Sequence, residues 1–221
     1  YEIVLRAGET TPLPWSNVVA NLRFGFLATE SGGGYTWAAN SRENKLTSWS
    51  NDPVCDPPSE VIYLRDEETG HFWSPTPQPI RDEGDYRVTH GRGFTRFEHA
   101  ADGIASELRL SIAPKSCMKF ACLKLKNLGA RPRTLSATYF AEWVLGVNRQ
   151  MTQSQLRTTR DASTGALTAY NSYHEDFPNQ VAVLQVLGGA DSLTGDRTEF
   201  LGRNGSAADP AAMLRTSLSG V

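Results

Sequence analysis

The chain has 221 residues, 22 Lys+Arg against 24 Asp+Glu, and a formal net charge of −2. With no basic stripe it offers nothing for a nucleic-acid backbone, and no apolar run approaches the roughly 18 residues of a membrane-crossing helix. Hydrophobic residues at 39% suit a chain that buries its own core, and three cysteines without a CxxC point to reduced thiols and a cytoplasmic setting rather than a disulfide framework or zinc ribbon.

Residues 1–85 read as loop-rich, with prolines at 12, 14, 53, 57, 58, 75, 77 and 79. Proline-braced loops on a rigid sheet are a usual home for binding residues. The densest is SRENKLTSWSNDPVCDPPSE, residues 41–60. Within it Glu43 and Asp52 accept hydrogen bonds, Arg42 and Asn44 donate them, and Trp49 offers a flat plate. That mixture suits the hydroxyls and apolar ring faces of a sugar. The bland alternative is that Arg42 and Glu43 brace the loop and Trp49 is buried. Cys55 reads as a packing residue, because no histidine lies nearby in sequence to activate it.

Residues 86–205 read as regular strands. RGFTRFEH and GIASELRLSI form a hairpin across HAADG, residues 99–103, and Ile104, Ser106, Leu108, Leu110 and Ile112 share a face by period-two alternation. CMKFACLKLKN gives a further strand, and RTLSATYFAEWVL, 133–145, one long strand. A second hairpin spans DASTG, 161–165. VAVLQVLG, 181–188, reads as a strand covered on both faces. A weak helical turn falls near 192–194 and another within 207–218. The whole, 1–221, is expected to be one all-β antiparallel domain, a sandwich or barrel. With no repeat of 20–50 residues, a propeller is not expected.

Familiar catalytic signatures fail on context. SGGGY, 31–35, lacks the lysine of a phosphate-binding loop, and HGRGF opens a strand rather than a helix. His71, His90, His99 and His174 have no metal-ligand spacing. Eleven carboxylates crowd residues 30–85: Glu30, Glu43, Asp52, Asp56, Glu60, Asp66, Glu67, Glu68, Asp82, Glu83 and Asp85. Sequence singles out no acid pair among them.

The ordered strings TPLPWSNVVANLRFGFLATESGGGYTWAANSRENKLTSWSNDP, PPSEVIYLRDEETGHFWSPTPQPIRDEGDYRVTHGRGFTRFEH, NLGARPRTLSATYFAEWVLG and GDRTEFLGRNGS carry a resemblance across essentially the whole chain. It resembles the N-terminal region of the inverting phosphorylases of glycoside hydrolase family 94, in particular the phosphorylase-like region of cyclic β-1,2-glucan synthases and β-1,2-oligoglucan phosphorylases. The resemblance implies a galactose-mutarotase-like antiparallel super-sandwich that supports a substrate site. It implies a catalytic (α/α)6 barrel outside this chain, so that the chain holds no catalytic residue and is inactive alone. It also implies a β-linked glucan as substrate, inorganic phosphate as co-substrate bound elsewhere, no metal or organic cofactor, a homodimer, and a parent attached to the inner membrane through other segments. Arg42, Glu43, Asn44, Trp49 and Asp52 are the expected sugar contacts. The rival readings are a non-catalytic carbohydrate-binding module and a mutarotase-like epimerase using His90, His99 or His174.

Overall fold

The computed structural model describes residues 1–220. Its backbone falls into two units, Tyr1–Glu142 and Trp143–Val221. The first holds β1 (Glu2–Leu5), β2 (Ser16–Ala20), β3 (Phe24–Thr29), β4 (Gly34–Ala38), β5 (Lys45–Thr47), β6 (Glu60–Asp66), β7 (Phe72–Trp73), β8 (Tyr86–Gly91), β9 (Phe94–Ala101), β10 (Ile104–Ile112), β11 (Lys119–Asn127) and β12 (Leu135–Ala141). One sheet runs β1-β8-β9-β10-β11, a second β12-β6-β7, and the first-unit strands of a third run β5-β4-β3-β2.

The β9–β10 hairpin forms as its sequence predicts. Asp102 and Gly103 occupy the turn at φ 50° and 76°, the pair of positive values that a two-residue hairpin of this twist requires. Alternation then buries Val88, Phe97 and Leu108, which are opposite one another across β8, β9 and β10. Their partners on the alternate positions, Arg87, Glu98 and Glu107, form a charged outer face. The buried face packs Ile3, Leu5, Tyr86, Val88, Phe97 and Leu108 against Ile62 of β6. Farther along, Leu110 and Ile112 pack against Val19, Phe26 and Ala28 of the third sheet. The fully buried Val88, Phe97 and Leu108 side chains each contribute about 1.5–3 kcal/mol on burial.

The second unit holds β13 (Trp143–Gly146), α1 (Arg149–Thr152), β14 (Arg157–Arg160), β15 (Leu167–Tyr170), β16 (Val181–Leu184), α2 (Arg197–Leu201) and a 3-10 turn at Ala211–Leu214. Its sheet runs β14-β15-β16. The helix α2 starts where the Asp196 side chain accepts from the Thr198 amide at 2.7 Å, a normal N-cap.

Among the described residues the strands thus divide among four separately hydrogen-bonded sheets, the sheet count of a four-bladed β-propeller. This corrects the expected galactose-mutarotase-like antiparallel super-sandwich, whose strands would run through continuous layers. The functional expectation built on that β-sandwich architecture is corrected with it. The all-β class holds. The physical reason lies in the connections. The chain leaves its ladder where the backbone turns to positive φ at Ala39, directly after β4, and strands such as β1 and β8 are partners although far apart in sequence. Sheets of unlike composition leave no sequence repeat, so a missing repeat says nothing about how many sheets form.

Three smaller expectations also change. The long strand at 133–145 breaks at Glu142, whose amide donates to Ser59 O and whose carbonyl accepts from the Ser48 amide. The strand β16 is not covered on both faces: Val181 and Val183 are each 58% exposed, whereas Ala182 is buried. The helical turn near 192–194 is displaced to α2. No helix among the described residues is long and apolar enough to cross a membrane.

Candidate functional site

The loops between β4 and β6 carry the residues singled out for sugar contact, and short-range hydrogen bonding explains their shape. Asn40 Oδ1 accepts from the amides of Arg42 and Glu43, both at 2.9 Å. This Asx turn turns those two side chains outward, where Arg42 Nε lies 3.2 Å from Glu43 Oε1 with the Arg42 side chain 85% exposed. Asn44 points the other way. It is buried and its Nδ2 donates to Ala38 O at 2.8 Å, so its amide closes the turn from inside. Lys45 is buried beside it, with Nζ donating to Arg42 O at 2.9 Å. Burial pulls the Lys45 pKa down against the opposing pull of Glu43.

Trp49 is half-buried and stacks on Tyr35, with ring centroids 4.7 Å apart and planes at 14°. Tyr35 in turn meets Trp37 at 5.2 Å. One indole face of Trp49 is therefore covered by protein, and a sugar ring has only the other to use. Asp52 organises its own loop: Oδ1 accepts from the amides of Val54 at 2.9 Å and Cys55 at 3.1 Å. Those bonds hold its pKa below the usual carboxylate value. Cys55 is exposed, not packed. The five residues thus divide into an outward ion pair, an inward brace, an aromatic plate and a turn former.

SGGGY has a structural explanation. A Cβ on Gly33 would lie 2.3 Å from Asp56 Oδ1, and one on Gly34, at φ 125°, only 2.0 Å from Leu27 O. Asp56 occupies that space because its carboxylate accepts from Thr29 Oγ1 at 2.5 Å and from Ser31 Oγ.

Beneath the loop lies a cluster that sequence reasoning did not assemble. Glu60 Oε1 accepts from Thr36 Oγ1 at 2.5 Å and Thr47 Oγ1 at 2.8 Å. Glu60 Oε2 accepts from Lys119 Nζ and Tyr139 Oη, both at 2.7 Å. Burial alone would raise the Glu60 pKa, but the Lys119 charge and these hydrogen bonds hold it at about 2. Burial and the Glu60 charge push Tyr139 well up. The adjoining cavity of about 30 Å³ has room for a water or two, not for a sugar. The only sequence signal was a carboxylate opening the apolar run EVIYL.

Glycosidic cleavage wants a protonated acid with a raised pKa. Among the described carboxylates, each resolved shift is downward: Asp52, Glu60, Asp66, Glu67, Glu107, Asp161 and Glu199. The histidines are engaged locally. His90 meets Trp15 O at 2.9 Å and Thr95 Oγ1 at 3.2 Å, and His99 meets Asp85 O and Asp82 Oδ2, both at 3.0 Å. In the second unit His174 Nδ1 accepts from the amides of Asp176 and Phe177.

Residues 1–221 match the family described as "Glycosyl hydrolase 94, supersandwich domain". That architectural term belongs to the family description; the hydrogen-bonded sheets of this chain are the four above. The chain is 35% identical over 215 residues to the cyclic beta-(1,2)-glucan synthase NdvB of Rhizobium meliloti, covering 97% of this chain and 8% of that protein. It is 29% identical over 210 residues to the N,N'-diacetylchitobiose phosphorylase of Vibrio furnissii, covering 91% and 26%. Against the solabiose phosphorylase of Paenibacillus borealis it is 30% identical over 168 residues, covering 73% and 22%. The chain therefore spans only a minor part of each of these relatives.

Proposed function

Because the chain belongs to the glycosyl hydrolase 94 family, we propose that it is the non-catalytic part of a carbohydrate-active enzyme that phosphorolyses or otherwise processes a β-linked glucan. The observation that carries this reading is the match along all 221 residues, with 35% identity to a cyclic β-(1,2)-glucan synthase. In this reading Arg42, Glu43, Trp49 and Asp52 present the loop to the glucan, and Asn44 fixes it from within. The proton donor and the inorganic phosphate belong to an (α/α)6 barrel elsewhere in the parent chain. A homodimer, a cytoplasmic location consistent with exposed thiols at Cys55, Cys117 and Cys122, and a membrane-attached parent complete the proposal.

Phosphorolysis with inversion forms a bond from phosphate oxygen to the anomeric carbon while the glycosidic oxygen leaves and takes a proton. The test is release of glucose 1-phosphate from β-1,2-glucans by the full-length parent, wild type and Trp49→Ala. The reading expects phosphate-dependent release and a raised KM for the glucan in the variant. Absence of phosphate-dependent release would overturn the activity, and an unchanged KM the role of the loop.

A further inference from the structure

We propose that Glu60 is a positioning residue for the Tyr35–Trp49 stack, holding both halves of it through a single carboxylate oxygen. The proposal deepens the preceding reading, since it rests on Trp49 facing the glucan.

The argument starts from strand alternation. Thr36 lies between Tyr35 and Trp37 on β4, so its side chain points to the opposite side of the sheet from theirs. Thr47 ends β5, two residues before Trp49. Both hydroxyls donate to Glu60 Oε1, and the Thr36 amide donates to Thr47 Oγ1 at 2.9 Å. The segment bearing Tyr35 and Trp37 and the one bearing Trp49 are thus registered to one atom. That atom is itself fixed, because the other carboxylate oxygen is held by Lys119 and Tyr139. Lys119 Nζ also donates to Thr36 Oγ1 at 3.2 Å and stands 4.6 Å from the Phe26 ring centroid.

The same carboxylate closes the loop. Residues 48–59 leave the third sheet after Thr47 and enter the second at Glu60, so the Thr47–Glu60 bond spans the neck of the loop between two sheets. Ser48 and Ser59 both bond to the backbone of Glu142 just beyond it. Farther out, Ser50, Asn51, Pro53, Val54 and Cys55 are exposed. A group that fixes a loop at its neck sets the aim of whatever the loop carries, and small displacements there are expensive for binding.

The experiment uses the full-length parent with Thr47→Val, which removes the hydroxyl and leaves the Glu60–Lys119 pair intact, and Thr47→Ser, which restores the hydroxyl. Amide exchange is followed at Trp49–Val54 and, as reference, at β9–β10. The proposal expects exchange in 49–54 to rise about tenfold in Thr47→Val with β9–β10 unchanged, the KM for the glucan to rise more than kcat falls, and Thr47→Ser to recover both. Unchanged loop exchange in Thr47→Val, or equal acceleration throughout, would overturn it. If loop exchange rises and reverts while Trp49→Ala leaves KM unchanged, the sugar contact fails and the positioning role stands.

Discussion

Glu60 and Asp52 are both carboxylates held below their ordinary pKa, by different means. Asp52 is held by the amides of Val54 and Cys55, two and three residues ahead. Glu60 is held by Thr47, Thr36, Lys119 and Tyr139, at separations of 13, 24, 59 and 79 residues. The first arrangement survives wherever the short segment can turn. The second exists only when β4, β5, β6, β11 and β12 have assembled. The difference teaches that equal direction of a pKa shift says nothing about how much of the fold stands behind it.

The sharpest way to break the comparison is Lys119→Met, which leaves a buried carboxylate without its cation. Urea unfolding is expected to show a loss of about 3–5 kcal/mol. Tyr139→Phe removes one hydrogen bond to the same charge and keeps the ring, so the loss falls to about 1.5–3 kcal/mol. An unchanged midpoint in both variants would show that the cluster stabilises no more than a local turn does.

Proton linkage gives a further test, with both signs working in the same direction. Glu60 ionises more readily folded than unfolded, so its contribution is present above its unfolded value near 4.5 and is lost as pH falls toward about 2. His90 is buried, which depresses its pKa below 6.5 despite the Trp15 carbonyl and Glu30. The unfolded chain therefore takes up that proton first, and stability falls as pH drops through 6.5. Urea midpoints at pH 7.5 and 5.5 should show the decline, and His90→Gln should flatten it. The smallest effect belongs to Asp52→Asn. The unfolding midpoint is expected to stay in place, with faster exchange confined to Val54 and Cys55.

Legibility followed the same divide. The β9–β10 hairpin was readable because alternation and the Asp102–Gly103 turn lie within a few residues. The loop at 41–60 was readable as polar and aromatic because composition alone shows it. The inward turn of Asn44 is an exception to that divide: Ala38 and Asn40 lie within six residues of it, yet composition does not say which way an amide side chain points. The part played by Glu60 was invisible, as one carboxylate among eleven, because its partners are dispersed along the chain. The sheet pattern was equally hidden: β1 pairs with β8 and β6 with β12, and nothing local says so.

By itself, the amino-acid sequence determined the all-β class, the turns and the family, because these rest on alternation, on short-range backbone chemistry and on long ordered strings. Only the tertiary structure decided the division into four sheets and the anchoring of the Trp49 loop on Glu60. Both depend on which distant strands become neighbours, a choice made by the shared burial of their apolar faces rather than by any one segment.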